Sequence, residues 1–220
     1  MPKYLIHAVP KRLWYVNDFL IPSMLRQGIE KTDISVYVDT KHLGNLRAFI
    51  QSCKECIEPE VDGCWHLQDD VIISNDFKDV TETNDSGIVC GFFSFYDKNT
   101  PSGIVSVKNM WYSFPCIRVP NNIVLGAVDW IENELIGNAV YKDFWKNGVN
   151  DDWCFRQYIF TFYPYLTALN LNPNIVNHID YLIGGPATDC KEPRKENCVS
   201  RLWKDDSLIE ELKCTLPEIK

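Results

Sequence analysis

The sequence predicts an α/β fold in which a mostly parallel sheet is flanked by helices, with a small antiparallel ribbon in the second half. The first observation is that strand-like and helix-like segments alternate over about residues 1–95, as in parallel strands joined by crossover helices. The second is that the later segments mix short β-like runs with helical periodicity. The third is that 220 residues, 45% of them hydrophobic and 13% aromatic, suffice for a well-packed core. No break in composition is visible, so residues 1–220 are expected to form one domain.

Four strands and three helices are predicted in the first half. The strands are short apolar runs, at Tyr4–Val9, Ile34–Val38, Val61–Leu67 and Gly87–Phe95. The helices have apolar residues at helical spacing, at Trp14–Gln27, Leu46–Ile57 and Ser74–Asn84. Gly28 is expected to end the first helix, and Ser74 is expected to cap the third.

The second half is less regular and begins with a loop over Tyr96–Gly103. Two runs are predicted to form the antiparallel ribbon, Ile104–Val107 and Trp111–Val119. Helices are predicted from Pro120 to about Leu135, over Asp152–Phe162 with Asn150 or Asp151 as its cap, and over Asp205–Leu212. Strand-like pieces lie at Thr167–Leu171 and Asn174–Ile183.

The residues that follow the first three strands are the first functional candidates. In an open parallel sheet, ligands bind beyond the carboxyl ends of the strands, which here are followed by Pro10–Arg12, Asp39–Thr40 and Gln68–Asp70. Asp69 and Asp70 lie side by side between apolar runs, and carboxylate oxygens are the ligands that Mg²⁺ and Mn²⁺ prefer. The pair therefore predicts a divalent cation site, although a capping pair or a solvated turn has the same pattern.

Two later segments carry further candidates. Asp151 and Asp152 begin an amphipathic helix, where acidic residues commonly cap the helix and complement its dipole. His178 lies between β-like residues shortly before Gly184-Gly185. Taken singly, each of these features is also typical of a purely structural role.

Together and in this order, Gln68-Asp69-Asp70, Asn150-Asp151-Asp152 and NHIDYLIGG resemble the motifs of GT-A glycosyltransferases, which use nucleotide-sugar donors. The resemblance covers about residues 3–185. It implies a Rossmann-like nucleotide-binding half over about residues 1–95, an acceptor-binding and catalytic half over about 96–185, and a C-terminal tail over 186–220. It also implies a bound Mn²⁺ or Mg²⁺ as cofactor, held at the motif known as DXD.

The resemblance implies a role for each matching residue. Asp70 and His178 would be the metal ligands, and Asp152 would be the catalytic base, with Asp151 as the alternate candidate. The nucleotide-sugar would be bound by Asp69 at the ribose or a metal-bound water, by Asp39 at the base, and by Val9, Pro10 and Arg12. The sequence departs from the family pattern at Gln68, which replaces an acid, and in WYSFPCIRVP, which lacks the expected glycine.

The implied reaction is transfer of a sugar from a nucleoside-diphosphate sugar, with a UDP-sugar favoured, to an acceptor hydroxyl, with inversion by an Asp base. The acceptor could be a saccharide, a protein or a hydroxymethylated DNA base. Similarity of the N-terminal segment to bacteriophage and prophage glycosyltransferases favours DNA. The net charge of −8 opposes broad nucleic-acid binding. A basic rim could still form from Lys191, Arg194, Lys195, Arg201 and Lys204.

Two other functions fit parts of the pattern. A nucleotidyltransferase also combines a nucleotide-binding half with metal-binding acids, but it usually has a glycine-rich loop after the first strand, and HAVPKR has no glycine. A non-catalytic nucleotide-sugar-binding module would not need Asp70, Asp152 and His178 together.

Targeting signals and cysteines suggest the compartment. The N-terminal apolar run is too short for a signal peptide, and no run approaches the ~20 apolar residues of a membrane span. We therefore expect a cytoplasmic protein, in the host cytoplasm if phage-encoded, with its nine cysteines reduced. A zinc site from Cys53, Cys56, Cys64 and His66 is conceivable, but buried free thiols are the simpler interpretation.

Overall fold

The structure, a computed structural model, describes residues 3–92, 103–107, 114–136, 151–184 and 203–216. Within these ranges, nine strands form a seven-stranded sheet and a two-stranded sheet. The strands are β1 (Lys3–Ala8), β2 (Ile34–Val38), β3 (Gly63–Gln68), β4 (Val71–Ile73), β5 (Ile88–Cys90), β6 (Gly103–Ser106), β7 (Cys116–Pro120), β8 (Thr167–Asn170) and β9 (Val176–His178).

Helices connect most of these strands. The α-helices are α1 (Leu13–Tyr15), α2 (Ile21–Arg26), α3 (Asn45–Cys56), α4 (Phe77–Thr83), α5 (Asn121–Trp130), α6 (Asp151–Phe162) and α7 (Asp206–Thr215). There are also 3₁₀ turns at Pro10–Arg12 and Lys31–Asp33 and π-helical turns at Val16–Leu20 and Ile131–Leu135. The helix predicted after Pro120 is α5 with its π-helical extension. Residues 93–102, 108–113 and 150, which belong to predicted strands, a loop and a helix cap, lie outside the described ranges.

The large sheet has the strand order β2-β1-β3-β7-β5-β8-β6. β1 runs parallel to β2 and β3, and β5 runs parallel to β8, whereas β7 and β6 are antiparallel to their neighbours. Five of the seven strands therefore point in the same direction. The predicted α/β fold, with a mostly parallel sheet flanked by helices, is confirmed.

The small antiparallel ribbon is present, but other segments build it. It pairs β4 with β9, so that Val71 lies opposite His178. The two segments expected to pair, around β6 and β7, are separated by β5 and β8 in the large sheet. Their short separation in sequence suggested a hairpin, but β7 instead completes the hydrogen bonding between β3 and β5.

The central strands β3, β5 and β7 are buried on both faces of the large sheet. On one face, Leu5 of β1 and Ile117 of β7 share a core with Phe49 of α3, Val124 of α5 and Phe155 of α6. On the other face, Ile6 of β1 shares a core with Tyr15 of α1, Met24 of α2, Phe77 of α4 and Val176 of β9. The alternation of Leu5 and Ile6 between the two faces follows from the two-residue period of a strand.

Residues 10–26 form an irregular helical run in place of the regular helix predicted over Trp14–Gln27. A 3₁₀ turn, α1, a π-helical turn and α2 follow one another directly. Pro22, in the first turn of α2, has no N–H to donate to the preceding turn, so the regular hydrogen-bonding pattern cannot continue through it. The run ends as predicted at Gly28, whose φ of 83° is the left-handed conformation of a helix C-terminus.

The C-terminal helix α7 docks beside the start of α4. The backbone N–H of Asn75 donates to Asp205 Oδ2 (3.0 Å), and Lys204 forms an ion pair with Asp76. Ser74 does not cap α4 as expected, because its hydroxyl donates to the side chain of Asp76 (2.8 Å). The other residues of the expected basic rim lie outside the described residues: Lys191, Arg194, Lys195 and Arg201. None of the helices that the structure describes combines the length and the apolar character of a membrane span.

Gly91 should not tolerate a side chain. It follows β5, its N–H donates to the Cys116 carbonyl, and its own carbonyl accepts from the N–H of Ile175. A Cβ at this position would lie 2.8 Å from both Cys116 Sγ and Ile175 Cγ1. We expect Gly91→Ala to lower the free energy of unfolding by about 1–3 kcal/mol, measured by urea denaturation. The loss should be smaller in a Cys116→Ala background, and an equal loss there would contradict overpacking against the sulfur.

Candidate functional site

A cavity of about 390 Å³ lies at the carboxyl ends of β1, β2 and β3. Ligands bind at this edge of a parallel sheet, and the volume falls in the range of small-molecule sites. The cavity is bordered by the turns after the three strands, by the first residues of α3 and α6, and by the end of β9. Eight of the nine predicted site residues line it: Val9, Pro10, Arg12, Asp39, Asp69, Asp70, Asp151 and His178. Among the described residues that line it, Asp152 is absent.

The acid pair after β3 is held by the segment after β1. Asp69 Oδ2 accepts the backbone N–H of Val9 (2.7 Å), and Asp69 Oδ1 lies 2.6 Å from Arg12 Nη2. The other terminal nitrogen of Arg12 forms an ion pair with Asp70 Oδ2. Arg12 is only 3% exposed, so this forked contact is desolvated. Arg12, predicted to help bind the nucleotide-sugar, thus directs both terminal nitrogens to the acid pair.

The charged groups of this cluster shift one another's pKa values. Burial alone would lower the pKa of the Arg12 guanidinium, but Asp70 and Asp69 raise it, so Arg12 remains a cation. Burial raises the pKa of Asp69 to about 7, against the opposing effect of Arg12. Arg12 thus lies close to three carboxyl groups, those of Asp69, Asp70 and Asp180.

The ribbon β4–β9 brings His178 against Asp70. Val71 pairs with His178, and the Ile179 N–H donates to the Asp70 carbonyl (2.8 Å). His178 Nε2 consequently lies 3.2 Å from Asp70 Oδ1, and His178 Nδ1 lies 3.2 Å from Asp180 Oδ1. All three side chains are buried.

The residues at this point fit a divalent cation. Asp70, His178 and Asp180 each offer one ligand atom, and these atoms lie within 4.8 Å of one another. Two adjacent ligands of an octahedral cation with ligand distances of about 2.1 Å are about 3.0 Å apart, close to the 3.2 Å between Asp70 Oδ1 and His178 Nε2. Carboxylate and imidazole donors are compatible with Mn²⁺ and Mg²⁺.

The two acids at the start of α6 have different surroundings. Asp151 is buried and lines the cavity, whereas Asp152 is partly buried. Asp151 Oδ1 accepts the N–H of Asp152 (3.0 Å), and Asp152 Oδ1 accepts the N–H of Trp153 (2.7 Å). Burial, with a smaller effect of Asp152, raises the pKa of Asp151 to about 7. A carboxylate with that pKa can exchange a proton near neutral pH.

Asp39 lines the cavity but also organises the turn that leads into α3. Its two carboxylate oxygens accept the N–H groups of Leu43 (3.0 Å) and Gly44 (3.3 Å). Gly44 has a φ of 80°, which the turn requires and which glycine adopts without strain. Any contact of Asp39 with a nucleotide base would use lone pairs that these two N–H groups leave over.

Sequence reasoning missed a chain of polar side chains beneath the cavity. Ser52 donates its only hydroxyl hydrogen to the Phe49 carbonyl (2.7 Å), so it accepts from His7 Nδ1 (2.8 Å). His7 Nε2 then accepts from His66 Nδ1 (3.0 Å). Burial lowers the pKa of His7 to about 4, and burial together with His7 lowers the pKa of His66, so both rings are neutral. Only the parallel register of β1 and β3 reveals this contact, and no sequence pattern signals it.

Asp180 was also missed, although a signal existed. In an extended segment, residues two apart point to the same side, and Asp180 is two residues after His178. The zinc site considered for Cys53, Cys56, Cys64 and His66 is not formed. Among the described residues these four make no metal-binding group, and Cys53 and Cys64 are buried in the core as free thiols.

Comparison with known proteins assigns no family to the chain. No family model matches the chain, and no curated protein is significantly similar to it in sequence. Among solved structures, the crystal structure of HddC from Yersinia pseudotuberculosis is similar over 57% of this chain and 80% of that chain, with 12% sequence identity and a TM-score of 0.32. A likeness at this level supports no statement about function, so function must be argued from the site.

Proposed function

We propose that the protein is a metal-dependent glycosyltransferase that moves a sugar from a nucleoside-diphosphate sugar to an acceptor hydroxyl. A UDP-sugar is the favoured donor. The observation that carries the proposal is the placement of Asp70 and His178 3.2 Å apart, buried, at a cavity beyond the carboxyl ends of three parallel strands. The resemblance of the three sequence motifs to GT-A glycosyltransferases supports the same assignment.

The residues at the sheet edge would bind the donor. Tyr37, Asp39 and Phe49 line the cavity on the side of β2 and α3, where a flat base could lie between ring faces and the Asp39 turn. Val9 and Pro10 border the middle of the cavity. Asp70 and His178 would hold a Mn²⁺ or Mg²⁺ ion, and Arg12 and Asp69 would keep Asp70 in place. When bound, such a cation neutralises the charge that develops on a departing diphosphate.

Asp151 would act as the base, in preference to Asp152, because it lines the cavity and has a pKa near neutral. It accepts the proton of the acceptor hydroxyl while the acceptor oxygen forms a bond to the anomeric carbon of the sugar. The bond from that carbon to the diphosphate oxygen breaks, and its electron pair leaves with the nucleoside diphosphate. Attack opposite to the leaving group inverts the anomeric centre.

Thermal unfolding with candidate donors tests the proposal. The samples contain a UDP-sugar, a GDP-sugar or a nucleoside triphosphate, each with and without MnCl₂. A donor at about 100 times its Kd adds about 2.7 kcal/mol to stability, which for a chain of this size is a rise in Tm of about 5–10 °C. We expect that rise with a nucleoside-diphosphate sugar only when Mn²⁺ is present.

The remaining outcomes separate the alternatives. Stabilisation by a nucleoside triphosphate, with release of pyrophosphate on adding a sugar phosphate, would replace the proposal with a nucleotidyltransferase. If a nucleotide-sugar stabilises the protein but no tested acceptor leads to release of the free nucleoside diphosphate, a binding module would be favoured. No stabilisation by any of these compounds with Mn²⁺ would refute the nucleotide-sugar site.

A further inference from the structure

His178 is enclosed by two carboxylates. Its Nε2 atom lies 3.2 Å from Asp70 Oδ1, and its Nδ1 atom lies 3.2 Å from Asp180 Oδ1. His178 is 3% exposed and Asp180 is 1% exposed, so neither contact is diluted by solvent. A neutral imidazole has a hydrogen on only one nitrogen, and therefore it can donate to only one of the two carboxylates.

The backbone around Asp180 indicates which nitrogen carries the hydrogen. Asp180 Oδ1 also accepts the N–H of Tyr181 (3.0 Å), and the Asp180 carbonyl accepts the N–H of Ile183 (3.3 Å). The carboxylate is thus oriented by the turn that it begins. An oxygen fixed in this way is suited to accept the hydrogen of His178 Nδ1. The lone pair of Nε2 then faces Asp70 Oδ1.

In that tautomer, the Nε2 lone pair and Asp70 Oδ1 are two ligand atoms 3.2 Å apart, which is close to the spacing of adjacent ligands of one divalent cation. We propose that Asp180 is a positioning residue: it holds His178 in the tautomer with a bare Nε2 and so sets the cation affinity of the Asp70–His178 pair, without binding the cation itself. This inference rests on the metal site of the proposed function. Carboxylates that orient a metal-binding histidine typically contribute a factor of about 10–100 to metal affinity.

The competing arrangement has Asp180 as a third direct ligand, since its carboxylate lies within 4.8 Å of the other two ligand atoms. A double-mutant cycle separates the two arrangements. A positioning residue acts through His178, so its effect disappears once His178 is removed. A direct ligand contributes whether or not His178 is present.

The experiment is a titration of the metal-free protein with MnCl₂ alone, with free Mn²⁺ followed by electron paramagnetic resonance. The variants are Asp180→Ala, His178→Ala and the double variant, with Asp85→Asn at an exposed carboxylate as the control. We expect Asp180→Ala to weaken Mn²⁺ binding by about 10–100-fold in the native background and by less than about twofold with His178→Ala. Asp180→Asn should lose less than Asp180→Ala, because its amide oxygen still accepts the Nδ1 hydrogen.

Each other result has a definite meaning. An equal loss from Asp180→Ala in both backgrounds would make Asp180 a ligand and overturn the inference. Native affinity in the Asp180→Ala variant would overturn it as well, with the proposed metal site intact. If Asp180→Ala does not fold in the absence of metal, Asp180→Asn supplies the same cycle, with a several-fold loss that vanishes with His178→Ala. If the unmodified protein binds no Mn²⁺, the proposed function itself fails.

Discussion

Replacing Asp70 with asparagine is expected to abolish Mn²⁺-dependent donor binding while leaving the metal-free protein folded. Asp70 is 5% exposed, and its Oδ1 faces His178 Nε2 at 3.2 Å, so it is the carboxylate best placed to hold a cation with that histidine. An amide oxygen is a far weaker ligand than a carboxylate oxygen for a hard divalent ion. We expect sugar transfer to fall by about 10³-fold, because the cation is assigned several kcal/mol of transition-state stabilisation.

The same substitution should have a small effect on folding. Arg12 keeps its ion pair with Asp69 at 2.6 Å, so no buried cation is left without a partner. The measurement is the Tm with and without MnCl₂ and a UDP-sugar. Asp85→Asn, at an exposed residue before β5 on the opposite edge of the sheet, serves as the control. Native Mn²⁺ affinity in Asp70→Asn would remove Asp70 from the metal site.

Sequence reasoning could place candidate residues at one edge of the sheet because of a general property of parallel sheets. β1, β2 and β3 were predicted from their apolar runs, and their carboxyl ends necessarily meet at one edge. Arg12, Asp39 and Asp70 therefore had to converge, although they are up to 58 residues apart in the sequence. In the structure, all three residues line the cavity. The roles predicted for the individual residues remain predictions.

The remainder depends on tertiary contacts that no local pattern specifies. The pairing of β4 with β9 joins segments more than 100 residues apart, and each has only three residues, too few for a periodic signal. That pairing is what brings Asp180 near Asp70. Similarly, adjacent residues on a helix point about 100° apart, so the sequence could not decide whether Asp151 or Asp152 faces the cavity.

The site is preorganised at a cost in stability. Burial disfavours the charged form of Asp69 and Asp151, and each has its pKa raised to about 7. Arg12 offsets part of this cost at Asp69. Asp151 has no ion pair within the described part of the chain, and its Oδ1 accepts the N–H of Asp152. Asp151 is therefore the residue at which stability and proposed activity should conflict most directly.

Replacing Asp151 with asparagine is accordingly expected to slow sugar transfer by about 10²-fold or more and to stabilise the protein at alkaline pH. The amide cannot accept the acceptor proton, whereas its oxygen can still accept the N–H of Asp152 at the helix start. In the unmodified protein, the pKa of about 7 means that kcat should rise tenfold per pH unit below pH 7 and level off above it.

The stability effect has a definite sign. Between about pH 4 and pH 7, the unfolded chain has lost the Asp151 proton and the folded chain retains it, so the free energy of unfolding falls as pH rises. Above pH 7 both states are ionised and the loss is constant. The free energy of unfolding of Asp151→Asn should therefore equal that of the unmodified protein near pH 4 and exceed it by about 2–4 kcal/mol at pH 8, measured by urea denaturation.

Asp152→Asn, one residue further along α6, is the matched control. It should change both the transfer rate and the free energy of unfolding much less than Asp151→Asn does. If Asp152→Asn, and not Asp151→Asn, removes transfer, the base is the residue that the sequence resemblance favoured, and the donor and acceptor must approach α6 from outside the cavity.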